Sequence, residues 1–174
     1  PPPPAPSGPT QAEIDARNDS IAAARAAEAA RAAAERDAAR REQERMSGAR
    51  DQARATIEAV VLFGYDESVI TAAAERILRA KLPILQNSPA LRLRLEGHAD
   101  ERGSTEYNLA LGSRRAESVR DFLSGFGIPA NRFTTTSFGE ERPAVNRSDE
   151  AAWAQNRRVE FVITGGQIVV SEDD

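Results

Sequence analysis

Among the first 54 residues of this 174-residue chain the only large apolar side chains are Ile14, Ile21 and Met46, so a hydrophobic core has to be assembled from residue 55 onward. Residues 1–9, PPPPAPSGP, hold too much proline for helix or sheet and read as an extended tether. Residues 10–54 are dominated by Ala, Arg, Glu and Asp and read as a helical spacer, with Ser47-Gly48 as its natural break. The part from 10 to 46 would span about 55 Å at 1.5 Å per residue. It lacks the apolar seam of a sustained coiled coil. A solvated spacer is the reading its charges favour, an oligomerising coil packed through alanine the alternative. The chain closes on an acidic tail, residues 165–174.

From residue 55 to 164 strand and helix patterns alternate. Residues 56–63, TIEAVVLF, form an apolar, partly β-branched run ending at Gly64 and predict a buried strand. Asp66 or Ser68 can cap a helix from Val69 to Leu85 with a stripe of Ile70, Ala73, Ala74, Ile77, Leu78 and Leu85, kinked near its end by Pro83. Leu91, Leu93 and Leu95 alternate with Arg92, Arg94 and Glu96, the period of a strand with one buried face. Ser104 or Thr105 caps the next helix, whose stripe is Leu111, Val119, Phe122 and Leu123, and Gly125, Gly127 and Pro129 stop it. A third strand is expected over Arg132–Phe138 and a fourth where Val159, Phe161 and Ile163 alternate. The segment SDEAAWAQN offers a short helix within the long loop 139–157. This βαβαββ order predicts an α/β fold, a two-layer sandwich with a mixed four-stranded sheet, preceded by a long N-terminal helix.

Several function classes are disfavoured by composition. A net charge of −4 without a basic patch argues against nucleic acid as a partner. No apolar run reaches membrane-spanning length, and no signal-peptide pattern opens the chain. There is no cysteine, hence no thiol chemistry. The one histidine, His98, is flanked by Glu96, Asp100 and Glu101, but a metal cluster wants three convergent ligands and there is no second His or Cys. Nor does Ser104 stand in a nucleophile elbow. The expectation is therefore no enzyme, no metal and no cofactor, with His98 a hydrogen-bonded turn residue.

One constellation carries chemistry. Asp100 lies in the loop leaving the Leu91–Glu96 strand, and Asn108 and Arg115 stand seven residues apart on the following helix, nearly two turns, hence on one face. A carboxylate at the mouth, an amide and a deeper guanidinium offer an acceptor for an ammonium and a bidentate donor for a carboxylate. Free N–H groups at the helix start favour the carboxylate further. The set is complementary to a free amino-acid head, and Tyr65 and Asp66 can line the same groove. Other readings stand beside this one: an ordinary Asp100–Arg115 ion pair, Asn108 as a loop fastener, Leu111 and Val119 as core. Arg157 and Arg158 suit either ligand contact or fixing of the long loop, and Trp153 either packing or a protein-binding surface.

The segments GHADERGSTEYNLALGSRRAESVRDFL, 97–123, and PAVNRSDEAAWAQNRRVEF, 143–161, resemble the OmpA C-terminal-like domains, and within them most nearly the branch of peptidoglycan-associated lipoproteins, Pal. The likeness covers residues 55–164. Asn108, Leu111, Arg115, Ala116 and Val119 fill that family's N-x-x-L-x-x-x-R-A-x-x-V pattern, and Asp100 precedes Arg115 by fifteen residues. The resemblance implies a non-catalytic, non-covalent peptidoglycan-binding domain in which Asp100 and Arg115 contact diaminopimelate of the peptide stem. It further implies a tether between outer membrane and cell wall in the Tol-Pal system of cell division, a TolB-like periplasmic partner, and a lipid anchor on a cysteine preceding Pro1. The implied place is the periplasmic side of the outer membrane of a Gram-negative bacterium. A wall-binding domain of another OmpA-like envelope protein is the alternative, a peptidoglycan hydrolase a more remote one. One departure is visible: the family commonly has F-D-F-D where this chain has Phe63-Gly64-Tyr65-Asp66.

Overall fold

Helix α1, Gln11–Glu58, begins where Thr10 and Glu13 close a reciprocal cap: Thr10 N donates to Glu13 Oε2 at 2.7 Å, and Glu13 N to Thr10 Oγ1 at 3.3 Å. The structure is a computed structural model that describes residues 1–5 and 7–171. Pro6 of the expected tether and residues 172–174 of the expected acidic tail lie outside the described residues. The chain divides into two units, Pro1–Arg45 and Met46–Asp174. In the first, no described residue is buried, and Ile14 and Ile21 stay about 40% exposed.

Two expectations for this region are corrected. The helix runs through Ser47-Gly48 without a break, because one glycine in an exposed helix costs only about 1 kcal/mol. It also takes in Thr56, Ile57 and Glu58, so the strand expected over 56–63 shrinks to β1, Val61–Leu62. The reason is a distant cation. Lys81 Nζ, fully buried, donates to the carbonyls of Thr56, Ile57 and Ala59 at 2.8, 2.8 and 2.7 Å, satisfying acceptors that the end of a helix leaves open.

The following helix α2, Ala72–Asn87, is capped by Thr71, whose hydroxyl accepts from Ala74 N at 3.1 Å, and not by Asp66 or Ser68. Val69, expected inside it, is 68% exposed, and Pro83 lies within α2. Next come β2, Arg92–His98; α3, Thr105–Gly125, with Ser104 as its cap; and a 3₁₀ turn, Ala130–Arg132. The chain then forms β3, Phe133–Gly139; α4, Glu150–Asn156; and β4, Arg158–Gly165.

The sheet order is β1-β4-β2-β3. β2 and β3 are parallel, and β4 runs antiparallel to both β1 and β2. This is the predicted mixed four-stranded α/β sheet. Leu93, Leu95, Val159 and Phe161 of the strands meet Leu78 and Leu85 of α2 and Ala116, Val119 and Leu123 of α3 in one core. A second buried cation closes the core's edge: Arg132 donates to the carbonyls of Leu85, Ser88 and Leu91 at 2.8, 2.6 and 3.0 Å.

α3 lies unusually close to β2 at one point. A Cβ on Gly97 would overlap the Gly112 carbonyl oxygen, and one on Gly112 would overlap the Ser137 hydroxyl. The two glycines therefore set the height of the helix above the strand, and with it the placement of every residue α3 carries. Gly97→Ala is expected to lower the unfolding free energy by about 3 kcal/mol in urea titration. Gly125→Ala, which has open space around it, serves as the control and should cost nothing measurable.

Candidate functional site

The loop 99–104 leaves the C-terminal end of β2 and is pinned to α3. Asn108, buried, donates through Nδ2 to the carbonyls of Asp100 and Arg102 at 3.2 and 3.1 Å, so the loop-fastening reading of this residue describes its contacts. Ala99 N adds a bond of 2.9 Å to the Gly139 carbonyl, at a position where Gly139 holds φ +53°.

Asp100 is 5% exposed and is gripped by its neighbour but one. Its Oδ1 accepts from the Arg102 backbone N at 3.0 Å and from Arg102 Nε at 3.1 Å, and its Oδ2 accepts from Nη2 at 2.8 Å. Arg157 Nη1 stands 3.7 Å from Oδ2. Burial pushes this carboxyl up, but the Arg102 hydrogen bonds and the charges of Arg102 and Arg157 outweigh it and hold the group below its ordinary 3.8. Arg102 is itself sandwiched, its guanidinium carbon 4.1 Å from the ring centres of both Tyr65 and Trp153. Trp153 Nε1 donates to Glu101 Oε1 at 3.0 Å, so the tryptophan packs on the loop.

Facing this loop is the turn 64–67, closed by Glu67 N donating to the Gly64 carbonyl at 3.2 Å. Asp66 adopts a left-handed φ of +54°, the one non-glycine residue to do so among the described residues, and accepts a short hydrogen bond from the Tyr107 hydroxyl. Strained backbone of this kind persists where the surroundings over-determine it. At Gly64, where the resembling family carries aspartate, a side chain would run into the carboxylate of Glu67.

Between loop and turn lies a cavity of about 120 Å³, lined by Tyr65, Asp66, Asp100, Asn108 and Leu111 together with Arg102 and Tyr107. Five of the six residues singled out in the sequence thus share one wall. Arg115, the sixth, does not line the cavity and is fully shielded from solvent. Its Nε donates to the Glu67 carbonyl at 2.8 Å, Nη1 to that of His98 at 2.8 Å, and Nη2 to that of Gly64 at 3.1 Å. Burial pulls its pKa down to about 10, against the supporting charges of Asp100 and Asp66. The simple Asp100–Arg115 ion pair is absent among the described residues, since Asp100 pairs with Arg102 and Arg157.

Arg157 and Arg158 both serve structure. Arg157 Nε donates to the Phe63 carbonyl at 3.0 Å, and Arg158 Nη2 fixes the long loop at the Arg142 carbonyl at 2.8 Å. Arg102 is the contributor that sequence reasoning passed over, its one signal being a cation two residues after Asp100. The Ser104 hydroxyl accepts from Tyr107 N at 3.2 Å as the cap of α3. Chemically, the carboxylates of Asp66 and Asp100 and the guanidinium of Arg102 around so small a space offer charge complementarity to a zwitterion.

Residues 62–157 match the model of the OmpA family. The chain is 47% identical over 105 residues to the peptidoglycan-associated lipoprotein of Brucella melitensis, which covers 60% of this chain and 62% of that protein. To the lipoprotein of the same name from Haemophilus influenzae it is 48% identical over 98 residues, 56% of this chain and 64% of the relative. The chain thus spans less than two thirds of the length of these relatives. Among solved structures, the peptidoglycan-associated lipoprotein of Burkholderia pseudomallei superposes with a TM-score of 0.59 at 38% identity, covering 60% of this chain and 89% of that one. The cell wall anchor of the T6SS from Pseudomonas aeruginosa shares the fold, with a TM-score of 0.52 at 23% identity. With the match to residues 62–157 taking in more than half of its 174 residues, and with the Asp100 loop and the α3 signature inside that match, the chain belongs to the OmpA family.

Proposed function

We propose that this protein binds peptidoglycan non-covalently and without catalysis, taking the diaminopimelate centre of a stem peptide into the cavity between loop 99–104 and turn 64–67. The observation that carries the reading is Asp100, ionised although buried, on the wall of a cavity sized for one amino-acid head. The ligand ammonium is received by Asp100 and Asp66. The ligand carboxylate is received by Arg102, which is partly exposed and whose Nη1 makes no hydrogen bond among the described residues. Arg115 contributes positive charge from behind the wall and holds the turn in place. The names of the relatives, which speak of association with peptidoglycan, support the same ligand class.

On this reading the domain 55–164 is the wall-binding part, and the tether 1–9 and spacer 10–54 separate it from a lipid anchor supplied upstream, in the outer membrane on its periplasmic side. A TolB-like protein would then be its partner in the Tol-Pal system during envelope constriction. Sedimentation with purified sacculi tests the ligand directly. Asp100→Ala and Arg102→Ala should each weaken pelleting by about 2–5 kcal/mol while circular dichroism stays native, and free diaminopimelate should compete. Equal pelleting of wild type and both variants would reject the proposal.

Arg115→Met separates support from contact. It strips donors from the Gly64, Glu67 and His98 carbonyls, so urea titration should show a loss of about 3 kcal/mol or more in stability. The pH dependence is set by Asp100. A folded pKa below the unfolded 3.8 means that its contribution is complete above that value and lost as pH falls through the lower folded one. Diaminopimelate affinity measured by calorimetry should therefore stay flat from neutrality down to about pH 5.

A further inference from the structure

The face of β2 opposite the helices carries a cluster that wall binding does not use. Leu93, Leu95 and Gly97 point to the core and α3, so Arg94, Glu96 and His98 alternate onto the other side. In the β2–β4 ladder Glu96 stands directly across from Glu160, which places both carboxylates on that side beside His98. We infer that Glu96, His98 and Glu160 form a binding site for one divalent transition-metal ion, of which Zn²⁺ fits the donor set.

Three observations carry this. One donor atom from each residue lies within 4.8 Å of the other two. His98, expected to be a hydrogen-bonded turn residue, instead ends β2 and is 1% exposed, and neither Nδ1 nor Nε2 has a hydrogen-bond partner among the described residues, Nε2 standing 3.8 Å from Glu160 Oε2. A buried donor or acceptor left unpaired costs about 1–3 kcal/mol, so a nitrogen aimed at two carboxylates asks for an occupant. Finally, the carboxylates are already oriented: Arg94 Nε holds Glu96 Oε2 at 2.9 Å and Arg158 Nε holds Glu160 Oε1 at 2.8 Å, leaving the second oxygen of each outside these pairs.

An imidazole with two carboxylates suits zinc, whereas Mg²⁺ and Ca²⁺ prefer shells built wholly of oxygen. Zinc bonds of about 2.0–2.2 Å require the donors to draw together, and Glu160, with a side chain 37% exposed, can bring its second oxygen inward while the first stays on Arg158. Water completes the coordination.

The test uses the full chain, freed of metal by chelation and titrated calorimetrically with zinc chloride alone, beside thermal unfolding with and without zinc. Wild type should take one ion per chain and unfold at a higher temperature when loaded. Glu160→Gln, on the partly exposed residue, should keep the metal-free unfolding temperature and weaken zinc binding by at least about tenfold. His98→Gln should do the same if it folds. Magnesium should give no saturable heat, and the Glu160 variant should still pellet with sacculi, which keeps this result distinct from the wall-binding one. Absence of saturable zinc binding by wild type, or equal binding by wild type and Glu160→Gln, would overturn the assignment.

Discussion

The arrangement around the cavity depends on one buried guanidinium. Arg115 reaches from α3 to the carbonyls of Gly64, Glu67 and His98, joining a turn, a strand end and a helix that have no continuous backbone ladder among them. Burying a cation is costly unless its donors are satisfied, and here carbonyl dipoles supply most of the compensation, with the charges of Asp100 and Asp66 adding to it. The span of this side chain sets the separation between Asp66 on the turn and Asp100 on the loop. Remove it, and the wall that presents both carboxylates loses its brace.

The same device recurs through the domain. Lys81 gathers three carbonyls at the end of α1, Arg132 gathers those of Leu85, Ser88 and Leu91 about the end of α2, and Arg157 ties the Phe63 carbonyl to the neighbourhood of Asp100. Helix ends leave carbonyls without intrahelical partners, and a small two-layer domain has little room to expose them all to water. Long cationic side chains solve this by crossing the core edge, and Lys81 also sets its Nζ over the face of the Phe161 ring, 4.0 Å from the centroid.

These long-range cations separate the parts of the fold that local sequence can reveal from those it cannot. The alternation in 91–96 and 159–163 and the Ser104 cap are local signals, and the corresponding β2, β4 and α3 lie where these signals put them. The run 56–63 is short and apolar throughout, and no periodicity separates buried strand from helix end in such a run. The deciding contact comes from Lys81, over twenty residues away. The start of α2 departs from expectation for a related reason: Asp66 and Ser68 are good caps in isolation, but Asp66 is taken by the left-handed turn and the Tyr107 hydroxyl, leaving Thr71 to cap. At the site, Asp100 and Asn108 are legible because only eight residues separate them. Arg102 looks like an ordinary loop charge until Tyr65 and Trp153, from opposite ends of the domain sequence, close on its two faces.

His98 shows how a strand end can serve two surfaces at once. Its carbonyl is held by Arg115 on the cavity side, while its ring lies among Glu96 and Glu160 on the other side and stacks on Phe138 at 5.5 Å and 26°. The backbone bond fixes where the Cα sits, and the stacking fixes how the ring turns, so neither nitrogen can rotate away to find a protein partner. The orphaned nitrogens are then the consequence of two constraints satisfied elsewhere, not of loose packing. Sequence alone could not reveal the third donor, because Glu160 meets Glu96 only through the antiparallel register of β4 with β2, a pairing made across more than sixty residues of intervening chain. That register is in turn enforced by the core, since a slip of one residue would carry Leu95 and Phe161 out of it and turn the charged face inward.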